Sequence, residues 1–299
     1  MKIETYSVEK ENIKKNKTIA LVSDMHLGYK INNRHYNDLM DNIDQIKPDY
    51  ITLVGDYFFG FGKYNFDYPK SRELLKFYLE SLKDYAPVIM SLGNHDLSRK
   101  NENELRYSFS NLAEYDIYPL DNTNIIIDEY NFFGYFPPRK HFPIDDLTKK
   151  KEKIIIDDLK SFEEFQPHKD KVNILLSHLP NIVLNDSIQR KIPELKNYDV
   201  ILSGHAHNGY LRLPVEKSLV KLSDNLKKIK KLENYKEQLE AIKYYGFCES
   251  IVNDIPFIRK VNRGIHDING SKLIISKGSN ITHGHNESYV TEVKLVRKK

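Results

Sequence analysis

Short apolar runs alternate with amphipathic stretches through the first two thirds of the chain. The apolar runs are rich in β-branched and aliphatic residues, and most end at a polar cluster, as buried strands usually do. They cover residues 18–23, 50–54, 88–92, 172–177 and 198–203, and two later runs cover residues 272–276 and 289–296. Apolar residues at helical spacing over 36–46 and 74–82 predict helices between the strands. Strands that alternate with helices predict an α/β fold.

A longer amphipathic helix is predicted after Pro214. Its apolar stripe runs over residues 222–242 amid many lysine and glutamate residues. Two placements agree with this pattern: packing on the edge of the domain, or a mobile cap above a site. Because no linker or repeat marks a boundary, we expect a single domain over residues 1–299, with this helix in an insertion at about 215–262.

The overall charge does not favour a nucleic-acid partner. The chain has 46 lysine and arginine residues against 42 aspartate and glutamate residues, scattered along its length, for a net charge of +4. A single cysteine, Cys248, excludes an internal disulfide framework and suits a reducing compartment. The first residues lack the apolar core of a signal peptide, and no apolar run is long enough to span a membrane. We therefore expect a cytoplasmic protein without a transmembrane segment.

Side chains that can bind metals follow each of the five core strands. They are Asp24 and His26 in SDMHLG, Asp56 in VGDYF, Asn94, His95 and Asp96 in LGNHD, His178 in SHLP, and His205 and His207 in SGHAHNG. The carboxyl ends of neighbouring strands in an α/β sheet meet at one rim, so these side chains can surround a common centre. Oxygen donors mixed with imidazoles suit manganese, iron or zinc, and a carboxylate such as Asp56 can bridge two ions. The sequence therefore predicts a dinuclear metal site.

The order and spacing of these motifs resemble those of the calcineurin-like metallophosphoesterases, over residues 18 to about 214. The resemblance implies a four-layer αββα sandwich of two mixed sheets, with a dinuclear metal site at the strand carboxyl ends. It implies two divalent ions as cofactors, with Mn2+ favoured over Fe or Zn2+. It also implies the following roles: Asp24, His26 and His207 at one ion, Asn94, His178 and His205 at the other, Asp56 as the bridge, and His95 as the catalytic histidine outside the ligand set.

Two further groups of residues are candidates for contacts with the substrate. A cationic His95 can donate to a phosphoryl oxygen or protonate a leaving group, while Asp96 orients the ring, caps a helix, or does both. Arg139, Arg212 and Asn208 are candidates for contacts with phosphate oxygens, with a solvated surface position as the alternative. The aromatic segment 57–69 is expected either to line a substrate pocket or to pack into a small core of its own.

The expected reaction is hydrolysis of a small phosphate ester by water that is activated between two ions. The stretches SDMHLG, ILLSHLPN, SGHAHNGYLRLP and LIISKGSN resemble the bacterial and archaeal phosphodiesterase branch of the family, although Ala206, Asn208 and Lys277 depart from its usual residues. A phosphodiesterase is therefore favoured over a phosphomonoesterase or a nuclease. The alternative from another class is a non-catalytic metal-binding scaffold for protein partners. Peripheral membrane contact through the 222–242 helix is a further possibility, which the mixed lysine and glutamate on its polar face disfavours.

Overall fold

Two six-stranded sheets form the centre of the protein in a computed structural model of the chain. The structure describes residues 1–27, 33–58, 68–97, 106, 109–112, 116–137, 149–161, 167–205, 264–279 and 288–298. The strands are β1 (Lys2–Lys10), β2 (Lys17–Val22), β3 (Tyr50–Val54), β4 (Val88–Ser91), β5 (Ile117–Leu120), β6 (Thr123–Ile127), β7 (Tyr130–Tyr135), β8 (Val172–Ser177), β9 (Val200–Ser203), β10 (Gly264–Ile268), β11 (Ser271–Ile275) and β12 (Tyr289–Arg297). The helices are α1 (Asn33–Ile46), α2 (Tyr68–Leu82), α3 (Lys149–Ser161), α4 (Pro180–Leu184) and α5 (Asp186–Lys191), followed by a 3-10 helix, Pro193–Asn197.

Both sheets are mixed, with a parallel centre. The first has the order β1-β12-β2-β3-β4-β5, in which only the pairing of β12 with β2 is antiparallel. The second has the order β10-β11-β9-β8-β7-β6, in which both outermost pairings are antiparallel. The carboxyl ends of β2, β3 and β4 therefore lie at one end of the first sheet, and those of β8 and β9 lie at one end of the second.

The strands alternate their side chains between an inner core and an outer face. On β2, Ile19 and Leu21 belong to the core between the sheets, whereas Ala20 and Val22 belong to the cluster that includes the helices. Phe132 of β7 packs against Tyr50 of β3 across the inner core, with ring centroids 5.3 Å apart. Central strands such as β3 and β8 are buried at every position, which explains why they read as continuous apolar runs.

Helices cover the outer faces of the sheets. The buried face of α1, which includes Leu39 and Ile43, shares one apolar cluster with the outward side chains of the first sheet. The buried face of α3, which includes Ile155 and Leu159, shares that cluster with outward side chains of the second sheet such as Leu175. The predicted α/β architecture of two mixed sheets faced by helices is confirmed.

The predicted core strands agree with the structure to within two residues. The largest difference is at β9, which begins at Val200 because Tyr198 still closes the preceding 3-10 helix. The sequence pattern did not predict β1, β5, β6, β7 and β10, and all of these except β7 lie at an outer edge of a sheet. The helix predicted at 222–242 and its insertion lie outside the described residues, so the division into domains stays a prediction. Within the described parts of the chain, no helix has the length and apolar character needed to cross a bilayer.

Removing the Phe132 ring should show how much stability the inner core supplies. Phe132 is 0% exposed, so Phe132→Ala leaves a cavity between the sheets. We expect the free energy of unfolding to fall by about 3–5 kcal/mol. Denaturant titration followed by circular dichroism measures this change. Ile126→Ala, at a neighbouring position that is 41% exposed, is the control and should change the free energy by less than about 1 kcal/mol. Equal losses in both variants would contradict the assignment of Phe132 to the core.

Candidate metal centre

The loops that follow β2 and β3 stay hydrogen-bonded to each other beyond the ends of the strands. The amide of Asp24 donates to the carbonyl of Gly55 at 3.0 Å, and the amide of His26 donates to the carbonyl of Asp56 at 3.0 Å. An isolated parallel bridge between Leu27 and Phe58 extends this pairing. Asp24, His26 and Asp56 are therefore held side by side at the rim of the first sheet.

Several polar residues of the site have a left-handed backbone conformation. The φ angles are 55° at Asp24, 44° at His26, 56° at Asp56 and 68° at His205. This region costs a residue other than glycine about 1–2 kcal/mol. Such conformations persist where the surrounding structure enforces them, and they concentrate at functional sites. Here they turn the chain sharply after a strand and direct the side chains towards one another.

Two glycines allow the turns after β3 and β4 to touch. A Cβ atom on Gly55, whose φ is 69°, would lie 2.6 Å from the Cα of Gly93. A Cβ atom on Gly93 would lie 2.3 Å from the amide nitrogen of Asp56. Both distances are too short for a side chain, so the glycines that precede Asp56 and Asn94 are required by the close approach of the two turns.

The side chains form two overlapping groups of potential ligands. In one group the ligand atoms of Asp24, His26 and Asp56 all lie within 4.8 Å of one another, and in the other those of Asp56, His178 and His205 do so. Asp56 belongs to both groups. The arrangement suits two ions that share one carboxylate.

Histidines from both sheets turn the same ring nitrogen towards Asp56. The Nδ1 atom of His26 lies 3.2 Å from the carbonyl oxygen of Phe58, and that of His178 lies 2.7 Å from the carbonyl oxygen of Val54. Only an N–H group can donate to a carbonyl, so Nδ1 carries hydrogen in both rings. The Nε2 atoms then face Oδ2 of Asp56, at 3.9 Å from His26 and 3.2 Å from His178. Metal-binding histidines are commonly oriented in this way.

Buried polar atoms in the site fit a divalent cation. Oδ2 of Asp56, Oδ1 of Asn94 and Nε2 of His178 are buried and make no hydrogen bond of good geometry to any described residue. Leaving such atoms unsatisfied costs about 1–3 kcal/mol each. Carboxylate, amide and imidazole donors together suit manganese, iron or zinc.

Burial and charge shift the pKa values of the cluster in opposite directions. Burial raises the pKa of Asp24 to about 6 and lowers that of His26 to about 3. Burial also opposes ionisation of Asp56, but the charges of His178 and His95 hold the pKa of Asp56 well below its usual value. Burial lowers the pKa of His178, whereas Asp56 outweighs this effect and raises it to about 9. A proton on His178 thus balances the buried carboxylate, and a bound cation would replace that proton.

Asp96 holds the turn after β3 against the turn after β4. Its Oδ2 accepts hydrogen bonds from the amides of Asp56 at 2.8 Å and Gly93 at 2.7 Å, and its Oδ1 accepts one from Tyr57 at 2.7 Å. Although burial raises the pKa of Asp96, amide donors on both oxygens favour the ionised form. Sequence reasoning missed this contact with the Asp56 turn, because it considered only the His95 ring and a helix cap.

His95 lies at the more accessible side of the cluster. Its side chain is 31% exposed, its Nε2 lies 3.9 Å from Oδ2 of Asp56, and its amide donates to Oδ1 of Asp56 at 2.7 Å. Its ring packs edge-on against that of His26, with centroids 5.0 Å apart. This position leaves part of the ring open to an incoming ligand.

The structure brings eight of the predicted site residues into this region: Asp24, His26, Asp56, Asn94, His95, Asp96, His178 and His205. The remaining four, His207, Asn208, Arg212 and Arg139, lie outside the described residues. Sequence reasoning also missed Ser23, whose hydroxyl donates to Oδ2 of Asp24 at 2.5 Å. The only signal for that contact was its place directly before Asp24.

The sequence profile of the calcineurin-like phosphoesterase family matches residues 17–209, which contain all of the clustered side chains. The chain belongs to this family. Its members are phosphoesterase hydrolases that typically bind a dinuclear metal site, in agreement with the two overlapping ligand groups of this phosphoesterase.

Curated relatives carry the same family name. A metallophosphoesterase of Caenorhabditis elegans, F40B5.2, is 29% identical over 66% of this chain and 37% of its own length. A metallophosphoesterase of Campylobacter jejuni, Cj0846, is 25% identical over 70% of this chain and 49% of its own length. The metallophosphoesterase YkoQ of Bacillus subtilis is 26% identical over 74% of this chain and 73% of its own length. This phosphoesterase thus spans about half or less of the length of the first two relatives.

Solved structures that are similar to this chain include two phosphatases. Purple acid phosphatase PPD1 from yellow lupin seeds has a TM-score of 0.40 and 12% identity, over 67% of this chain and 39% of that one. A dimetal phosphatase from Danio rerio has a TM-score of 0.38 and 12% identity, over 88% of both chains.

Replacing Asp96 should loosen the Asp56 turn. In Asp96→Asn, one amide nitrogen must face backbone N–H groups, so at least one buried hydrogen bond becomes unfavourable. We expect the free energy of unfolding to fall by about 1–3 kcal/mol and the bound metal to decrease. Thermal unfolding and elemental analysis of the purified protein measure the two effects. Asp170→Asn, at an exposed position, is the matched control. Unchanged stability and metal content in Asp96→Asn would show that the contact is unimportant.

Proposed function

We propose that this phosphoesterase hydrolyses a small phosphodiester at a dinuclear metal centre. The observation that carries the proposal is the position of Asp56, whose carboxylate belongs to both groups of potential ligands. A carboxylate can bridge two cations, so one side chain sets the positions of both. A cytoplasmic location, suggested by the single cysteine, is part of the proposal.

The proposed ligand set divides between the two ions as the family resemblance implies. One ion would be held by Asp24, His26 and His207, the other would be held by Asn94, His178 and His205, and Asp56 would contribute to both. The grouping of Asp24 with His26, and of His178 with His205, supports this division. The mixture of imidazole and oxygen donors favours manganese, with iron or zinc as alternatives.

His95 is the proposed catalytic residue that binds no ion. When bound, two divalent ions lower the pKa of water and offset the charge that develops on the phosphoryl oxygens. His95 contributes its Nε2 proton, either as a hydrogen bond to a phosphoryl oxygen or by transfer to the leaving oxygen. Its partial exposure next to the buried Asp56 supports this role, because the ring can reach a ligand from the solvent side. Asp96 acts through the backbone by holding the Asp56 turn in place.

The preference for diesters rests on the resemblance to the phosphodiesterase branch. Lys277, one of the departures from that branch, pairs with Glu4 and stacks over the ring of Tyr289, so its charge is already engaged. The proposed contacts of Arg139, Arg212 and Asn208 with phosphate oxygens remain predictions. A nuclease is one alternative to this proposal. A phosphomonoesterase and a non-catalytic scaffold are the alternatives that the experiments below distinguish.

Substrate preference and the role of His95 can be tested together. Metal-stripped protein is assayed on bis(p-nitrophenyl) phosphate and p-nitrophenyl phosphate after addition of manganese, zinc, iron or magnesium. We expect manganese to restore activity most strongly on the diester. His95→Asn should keep its metal and lose about 10²–10⁴-fold in turnover, the usual contribution of a general acid. Faster cleavage of the monoester would favour a phosphomonoesterase, and two bound ions without activity on any ester would favour the scaffold.

The bridging role of Asp56 predicts a change in metal stoichiometry. In Asp56→Asn, the side chain keeps its size but offers one neutral oxygen, so it cannot bridge two cations. We expect the bound metal to fall from two ions per chain to one or fewer, as measured by elemental analysis after gel filtration. The exposed Asp84→Asn is the control. Two ions retained in Asp56→Asn would contradict the proposed ligand set.

A further inference from the structure

A cluster of cationic side chains lies where β2 begins and β12 ends. Residues 14–17 read KKNK and residues 296–299 read VRKK, so each run is basic although the two are nearly a whole chain length apart. Antiparallel pairing of β12 with β2 sets Leu295 opposite Lys17. Continuing this register places Arg297 opposite Lys15, and the amide of Arg297 donates to Oδ1 of Asn16 at 2.9 Å. The fold thus joins two basic runs that look scattered in the sequence.

Most of these charges lack an acidic partner. Lys14, Lys15 and Arg297 are exposed, and no carboxylate of the described residues lies within salt-bridge distance of them. Lys298 has only an exposed contact of 3.5 Å with Glu11. The neighbouring Lys17 differs, because its amine is 2.8 Å from Asp49 and is therefore already neutralised.

An open cavity of about 660 Å³ lies between the two basic runs. It is lined by Lys14, Lys15, Asn16, Val296, Arg297 and Lys298. Ligand pockets of small molecules have about 300–1,000 Å³, so the cavity can hold a compact molecule with several anionic groups. Like charges that converge across a strand pair repel one another, and a bound anion would remove that cost. Arginine and lysine donors together suit phosphate oxygens.

The cavity is separate from the metal centre. Asp24 follows the carboxyl end of β2, whereas Lys14 and Lys15 precede its amino end. At about 3.3 Å per residue, the two places are roughly 20 Å apart along the strand. A compact anion in the cavity therefore cannot reach the metal centre at the same time.

We propose that the cavity between the Lys14–Asn16 turn and the end of β12 binds a compact anion with two or more phosphate groups. The site is independent of the metal centre and of hydrolysis. Its ligand is held by the side chains of Lys14, Lys15 and Arg297, with Lys298 at the rim.

The test measures binding of pyrene tetrasulfonate, a fluorescent anion that cannot be hydrolysed as a phosphate ester. Fluorescence anisotropy is recorded with the metal-loaded, full-length protein at low salt. We expect one saturable site, and loss of about tenfold in affinity in the variant K14A/K15A/R297A, because three exposed charge contacts are removed together. The matched control K153A/K160A/R190A removes three exposed cations elsewhere and should bind as the unaltered protein does.

Competitors then identify the kind of ligand. Inositol hexasulfate, a compact polyanion, should displace the probe at a lower concentration than duplex DNA or phosphatidylserine vesicles, when each concentration is counted in negative charges. Displacement mainly by DNA or by vesicles would overturn the assignment to a compact ligand. Equal affinity in K14A/K15A/R297A and in the control would overturn the site itself.

Stability separates binding from a structural role of these residues. Because the cluster repels itself, K14A/K15A/R297A should unfold at the same or a higher temperature than the unaltered protein at low salt. A lower unfolding temperature together with weaker binding would mean that the cluster supports the fold, and would overturn the proposal. Diester hydrolysis should be unchanged in this variant, so failure of this proposal is distinguishable from failure of the proposed function.

Discussion

The rim of the molecule is organised around the buried carboxylate of Asp56. Its side chain is 1% exposed, and a carboxylate in such a place must be balanced by cations or hydrogen bonds. The amide of His95 satisfies one oxygen, while the other faces imidazoles that come from both sheets. The need to compensate this one charge therefore draws the ends of β2, β3, β4 and β8 to the same point.

Hydrogen bonds between the sheets make that convergence rigid. His178 follows β8 in the second sheet, and its ring donates to the carbonyl of Val54 in the first. The amide of His205, which follows β9 in the second sheet, likewise donates to both carboxylate oxygens of Asp24 in the first sheet at 3.1 Å. Within the second sheet, the amide of Gly204 donates to the carbonyl of His178. Since each potential ligand is also a link between loops, a shift of one would disturb several others. Such a network keeps ligands in place before any ion binds.

Sequence reasoning predicted the strands around the candidate metal centre and several side chains that the fold brings together there. It missed features that depend on contacts between distant segments. β3 and β8 could be predicted because strands buried on both faces have continuous apolar sequences. β1 was missed because its exposed positions carry polar residues and only Val8 is buried, so its pattern resembles a solvated segment. The role of Asp96 depends on the approach of two glycine turns, which no local spacing reveals. The resemblance to a family supplied the division of ligands between two ions, which spacing alone left open.

The distribution of charge is another feature that depends on contacts between distant segments. A net charge of +4 over 299 residues suggests an even mixture, yet the two ends of β2 have opposite electrostatic character. Its carboxyl end holds Asp24 beside Asp56 in a buried cluster that needs positive charge, whereas its amino end carries exposed lysines that β12 brings beside Arg297. A surface charge of this kind is screened over about 8 Å in physiological salt, so over the length of the strand neither end greatly alters the affinity of the other. Strand pairing, rather than composition, therefore decides where this protein can attract a cation and where it can attract an anion.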